Sequence, residues 1–165
     1  MGSGKSTIGK ALSRVLAVPF KDLDTFIESE EGVSINTIFE EKGEIYFRKK
    51  EAQLLQKILL STTSLILATG GGTPCYGNVM EDLLNTENLI TIYLKCNVDT
   101  LTERLWVEKD KRPLIVHLDS KALLNDFIRK HLFERNHFYN KAHYTIACDH
   151  LAENELTEKI IMKLF

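Results

Sequence analysis

No apolar run in this sequence approaches the roughly 18–20 residues that a membrane-spanning helix needs. Neither sign of charge dominates: 21 Lys and Arg stand against 23 Asp and Glu, for a formal charge of −2. That balance gives no electrostatic footprint for nucleic acid or an anionic membrane, and neither is expected as a partner. An apolar signal-peptide core is also missing from the glycine-rich start, so none is expected. Cysteine is scarce. Cys75, Cys96 and Cys148 are odd in number and outside any C-x-x-C pair. They read as free thiols in a reducing cytoplasm, filling space rather than doing chemistry. The histidines lack metal spacing: His131, His137 and His143 recur every six residues, which does not bring them to one helix face. No repeat, low-complexity tract or linker divides the chain. Residues 1–165 are expected to form a single domain, a monomer by default because no segment asks for a partner.

What is present alternates between two patterns. Phe20–Asp22 follows a turn at Pro19 and reads as a short strand, while Leu65–Thr69, Ile90–Leu94 and Thr145–Cys148 are continuous enough to predict strands buried on both faces. Helices are predicted at 5–16, 24–31, 34–42, 44–60, 77–85, 98–106, 120–140 and 153–165, with Gly43 as a C-cap and Asn97 as an N-cap. Strand–helix alternation argues for an α/β domain with a parallel sheet. Ligands should then bind just beyond the carboxyl ends of the strands.

The residues able to do chemistry fall at those places. MGSGKST ends like a phosphate-binding loop. Gly2, Ser3 and Gly4 can form a nest of backbone N–H groups, completed by the positive end of the helix that carries Lys5, Ser6 and Thr7. Lys5 can reach the outer phosphates, and the Ser6 hydroxyl can ligate magnesium. Ile8, Ala11, Leu12 and Val15 give this helix its apolar face. In DLD, Asp22 and Asp24 are read as ending a strand with both carboxylates on one side, able to hold magnesium through water and to orient a hydroxyl. Arg48 lies in phase with Ala52, Leu55 and Leu59, with Glu51 placed to orient it. Arg135 is in phase with Ile128, Leu132 and Tyr139. Two inward-facing guanidinium groups ask for an anion, and their planar forks favour a carboxylate. Gly70, Gly71 and Gly72 follow a strand directly and let backbone lie against a ligand. VEKDKRPLI reads as a mobile lid over about residues 107–118, with Arg112 reaching in and Lys109 and Lys111 solvated.

In this order, GSGKST, DLD, FRKKE, GGG, RPL and the late arginine resemble the shikimate kinase family across the whole chain. The resemblance implies a P-loop kinase fold: a parallel sheet of order 2-3-1-4-5 flanked by helices. It implies ATP and magnesium as cofactors and shikimate as the substrate, phosphorylated at its 3-hydroxyl in the cytoplasm. Ser6 would bind the metal directly and Asp22 through water. Asp24 would orient or deprotonate the hydroxyl, and Lys5 and Arg112 would neutralise the moving phosphoryl group. Arg48 and Arg135 would grip the shikimate carboxylate, with Gly70, Gly71 and Gly72 along its ring and Phe39 and Phe47 nearby. Arg104 would stack on adenine.

One departure is plain. The loop pattern's first glycine would fall two residues before Met1, and no strand feeds the loop. The sequence thus predicts that Met1 is internal and that the central N-terminal strand is missing from this chain. An empty slot between the strands at Leu65–Thr69 and Ile90–Leu94, or a collapse across it, would follow. A gluconate-type kinase would share the phosphate loop but not the two inward arginines. A non-catalytic nucleotide-binding relative would be expected to have lost some of Lys5, Ser6, Asp22, Asp24 and Arg112.

Overall fold

The computed structural model describes residues 2–61 and 64–165, so the expectation concerning Met1 lies outside the described residues. Lys5–Val79 make one compact unit, and Met80–Phe165 with the loop ending at Gly4 make the other.

In the first unit, helix α1 (Lys5–Leu16) buries Ile8, Gly9, Ala11 and Leu12 against strands β1 (Phe20–Asp22) and β2 (Ile66–Ala68). Val15, expected on that face, is 63% exposed. The reason is length. A 12-residue helix runs about 18 Å, whereas a three-residue strand covers about 10 Å. The last turn overhangs the sheet. Gly9 sits where helix meets strand, and any Cβ there would run into the Phe20 ring. Gly9→Ala is therefore expected to lower stability by about 1–2 kcal/mol net, overpacking outweighing alanine's better helix propensity. An unchanged melting temperature would show that the ring yields freely.

Helix α2 (Leu23–Glu31) is capped by Asp22, and its Leu23 and Ile27 are fully buried. Helix α3 (Ile35–Leu59) starts at the Ser34 cap and breaks at Gly43, whose φ of 77° and ψ of 171° suit only glycine. The two predicted helices are thus its two segments. Lys42 and Lys50 both reach Glu31, at 2.7 and 2.9 Å, tying α3 to α2. Strand β2 runs parallel to β1 with Asp22 level with Ala68. That register starts the glycine turn beside the DLD carboxylates.

The second unit contains helix α4 (Val79–Asn85, beginning at the boundary), β3 (Ile92–Lys95), α5 (Val98–Val107), α6 (Lys121–Tyr139), β4 (Tyr144–Ala147) and α7 (Glu153–Leu164). Helix α4 starts later than predicted because Gly77 takes a φ of 54°. Asn97 caps α5 as predicted, accepting from the Thr100 amide at 2.7 Å. Strand β3 begins later too, since the Thr91 amide donates to His143 Nδ1. It pairs in parallel with β4, Lys95 level with Ala147. The four strands form two parallel two-stranded ladders, and no ladder joins the pairs among the described residues.

Two expectations are corrected. Of the described strand residues only Ala68, Leu94 and Ile146 are buried. Each strand has a single ladder partner, so its other residues keep some exposure. Cys96 and Cys148 are not free thiols but a disulfide, with Cα atoms 5.3 Å apart. They are the next residues beyond the Lys95–Ala147 pair, where parallel register sets them side by side within bonding reach. Cys75 remains a thiol.

Candidate active site

The site grows from the carboxyl ends of β1 and β2. Gly2 and Gly4 both take positive φ, 74° and 85°, as a tight loop ahead of α1 requires. One turn into the site, the Ser6 hydroxyl donates to Asp22 Oδ2 at 2.6 Å. The other Asp22 oxygen accepts the Asp24 amide at 3.1 Å and so caps α2. One carboxylate thereby fixes both the loop serine and the next helix. The strand ends at Asp22, which corrects the reading of DLD as a strand end: Asp24 lies in the first turn of α2. The cap turns the chain, so helical geometry rather than strand alternation aims the second carboxylate.

Asp24 is half-buried, and its pKa is pushed up to about 6. Burial is the main cause, followed by the negative charges of Asp22 and Glu51, while Lys5 pulls the other way. Gly70 makes this crowding possible. A Cβ there would lie 2.9 Å from Asp24 Oδ1, 3.0 Å from Thr73 Oγ1 and 3.2 Å from Glu51 Oε1.

Glu51, 3% exposed, accepts from Arg48 Nη1 at 2.8 Å and from the Thr73 hydroxyl at 2.7 Å. The predicted orientation of Arg48 by Glu51 is therefore present. The guanidinium lies between two rings, its Cζ 4.1 Å from the Tyr76 centroid and 5.0 Å from that of Phe47. A Cβ on Gly72 would come within 2.7 Å of Arg48 Nη2. Phe39 stacks at a tilt on Phe47, 4.6 Å between centroids. Gly71 accepts a long contact from the Cys75 thiol at 3.9 Å.

Arg104, Arg112 and Arg135 belong to the second unit. Arg104 Nη2 donates to the Cys148 carbonyl at 3.3 Å, and Nη1 approaches Cys96 Sγ at 3.6 Å. Arg112 pairs with Glu108 at 2.6 Å. Lys109, expected to be solvated, instead donates to the Leu118 carbonyl at 3.2 Å and lies over the Trp106 ring. Between them Ile115 is fully buried and pins the segment. Arg135 is half-buried on α6. Ser3 is half-buried, and Thr7 is exposed beside Ser6.

The structure brings together Ser6, Asp22, Asp24, Arg48, Gly70 and Gly72. Sequence reading missed Thr73, Glu44 and Tyr76. Their only signal was closeness to the glycine turn or to Arg48.

All of residues 1–165 match the family model for shikimate kinase. A shikimate kinase of Flavobacterium johnsoniae is 44% identical over 161 residues, 98% of this chain and 92% of that one. A crystal structure of shikimate kinase from Bacteroides thetaiotaomicron superposes with a TM-score of 0.92 at 34% identity, covering 99% of this chain and 93% of that one. Another, from Acinetobacter baumannii in complex with shikimate, gives 0.86 at 34% identity, covering 99% and 88%.

Proposed function

The chain belongs to the shikimate kinase family, and from that membership we propose that it transfers the γ-phosphoryl group of ATP to the 3-hydroxyl of shikimate. The observation that carries the reading is the convergence of Asp24, Glu51 and Arg48 on the Gly70–Gly72 turn. An acid–base group and a guanidinium thus meet where backbone alone lines the space.

The backbone N–H groups of Gly2, Ser3 and Gly4, with Lys5 and Thr7, cradle the phosphates at the start of α1. The Ser6 hydroxyl would hold magnesium directly and the Asp22 carboxylate, 2.6 Å from it, through water, an all-oxygen donor set that fits this hard cation. When bound, the cation spreads the charge of the phosphates. Arg48 and Arg135 hold the substrate carboxylate. Asp24, tuned to about 6, is mostly ionised at neutral pH yet still basic enough to take the hydroxyl proton. As the bond to the β–γ bridging oxygen breaks, the 3-oxygen gains the phosphoryl group and ADP leaves. Lys5 and Arg112 neutralise the charge in transit, and Arg104 lies along the adenine.

We read the β1–β2 and β3–β4 ladders as the pairs that the family's own numbering calls 2-3 and 4-5. A cytoplasmic monomer is part of the same reading, and in such a reducing compartment the Cys96–Cys148 disulfide would open to two adjacent thiols. A gluconate-type kinase gives no reason for an Arg48 so fixed. The deciding experiment is ADP release measured against a panel of hydroxylated acids. Shikimate should be strongly preferred, and turnover of gluconate instead would overturn the reading.

Residues 107–118 would act as a lid, bringing Arg112 from Glu108 to the phosphates. Amide exchange in this segment should slow when ATP analogue and shikimate are both bound. Equal protection with and without them would rule out closure.

A further inference from the structure

Glu44, Arg48 and Glu51 recur on α3 at spacings of four and three, so they form one stripe along the helix. Thr73 and Tyr76 are three apart on the turn that leaves the glycines. The two sets meet rung by rung. Thr73 donates to Glu51 at 2.7 Å and Tyr76 Oη donates to Glu44 at 2.7 Å, with the Arg48 guanidinium between them. The lower rung is buried and the upper one is not, since Tyr76 is 38% exposed.

Each rung constrains Arg48 differently. Glu51 holds Nη1, which fixes one corner of the fork but allows the plane to swing about that corner. Nε makes no hydrogen bond among the described residues and only a 3.5 Å ion pair with Glu44, which restrains the swing loosely. Two rings face the guanidinium, and Tyr76, 4.1 Å from Cζ, is nearer than Phe47 at 5.0 Å, so Tyr76 limits the plane more closely. A guanidinium stacks on an aromatic face with its plane set by the ring. The Glu44 hydrogen bond in turn sets the ring. Gly72 leaves room for Nη2 in this pose.

We propose that Tyr76, held by Glu44, is a positioning residue that sets the plane of Arg48 for the substrate carboxylate. The proposal rests on the kinase reading above, and it deepens that reading by assigning specificity for a planar anion to a clasp between α3 and the turn. The clasp acts on binding of the acid, not on phosphoryl transfer.

The test compares Tyr76→Phe, Tyr76→Leu and Glu44→Gln with the unaltered protein, using shikimate and its neutral analogue with hydroxymethyl in place of the carboxylate. Tyr76→Leu should raise the KM for shikimate by roughly 5- to 30-fold, with kcat and the KM for ATP nearly unchanged. For the neutral analogue it should change nothing. Tyr76→Phe and Glu44→Gln should fall between, since the ring remains. Equal loss for acid and analogue, or a kcat that falls with KM, would overturn the proposal in favour of a merely structural role. A ligand-free readout separates it from the kinase reading. The Arg48 Nε–H resonance should be ring-current shifted in the unaltered protein and in Tyr76→Phe, and clearly less so in Tyr76→Leu, where only the more distant Phe47 ring remains. No shift in the unaltered protein would overturn the clasp. The shift without any shikimate turnover would refute the kinase reading and uphold the clasp.

Discussion

Asp24→Asn is expected to yield a protein that is more stable at neutral pH and almost inactive. The folded carboxyl has its pKa raised to about 6 from an ordinary 3.8. The folded state thus binds this proton more tightly than the unfolded chain does. Stability is greatest below the unfolded value, falls as the pH rises, and levels off above about 6. At pH 7 the ionised group therefore carries its full cost, about 1–3 kcal/mol for a shift of this size in a partly exposed side chain. Asparagine keeps the shape and removes the charge. Melting temperatures of the two proteins should differ at pH 7 and converge near pH 4. Turnover should drop by about 100-fold or more, because no base remains to take the hydroxyl proton. In the unaltered enzyme kcat/KM should climb with pH through about 6. Substantial activity in the folded variant would make the carboxylate dispensable. Identical melting at pH 7 would show that it is not strained.

Arg48→Ala should cost about 2–4 kcal/mol of shikimate binding, or roughly 30- to 1000-fold in affinity, while ATP binding stays near its original value. The loss has two sources. The ligand carboxylate is left short of a partner, and Glu51, 3% exposed, keeps only Thr73 as a hydrogen-bond partner among the described residues. An unpaired buried carboxylate destabilises the fold as well. The double variant Arg48→Ala with Glu51→Gln should recover much of that stability and none of the affinity. Calorimetric titration with shikimate reads the first effect, and thermal unfolding reads the second. Near-original affinity in Arg48→Ala would remove this residue from the carboxylate site.

Much of the phosphate loop and of the Lys5–Val79 unit was legible because their determinants are local. The GSGKST loop and the helix after it follow from adjacent residues, and so does the spacing that sets Glu51 on Arg48. Parallel pairing of the strands followed from strand–helix alternation. Hidden features were those fixed by register or by turning chain. The Cys96–Cys148 bond spans 52 residues, and only the β3–β4 ladder makes these two neighbours. The helix over 24–31 was legible, but the DLD pair was still read as a strand end because nothing in it announces that Asp22 will cap that helix. Tyr76 could not be foreseen: its partners Glu44 and Arg48 lie 32 and 28 residues back, on a helix whose face is set by packing.

The Ser6–Asp22 hydrogen bond has a consequence in directionality. A serine hydroxyl is a rotor with one proton and two lone pairs. In water it points anywhere, and a cation arriving at such a group must first stop the rotation. Here Asp22 is itself anchored by the Asp24 amide and draws the proton to Oδ2. The lone pairs are thereby turned away from the carboxylate, to the side where a hard cation can accept them. Folding has done the ordering in advance, so the serine arrives at its ligand already polarised and with little rotational entropy left to lose.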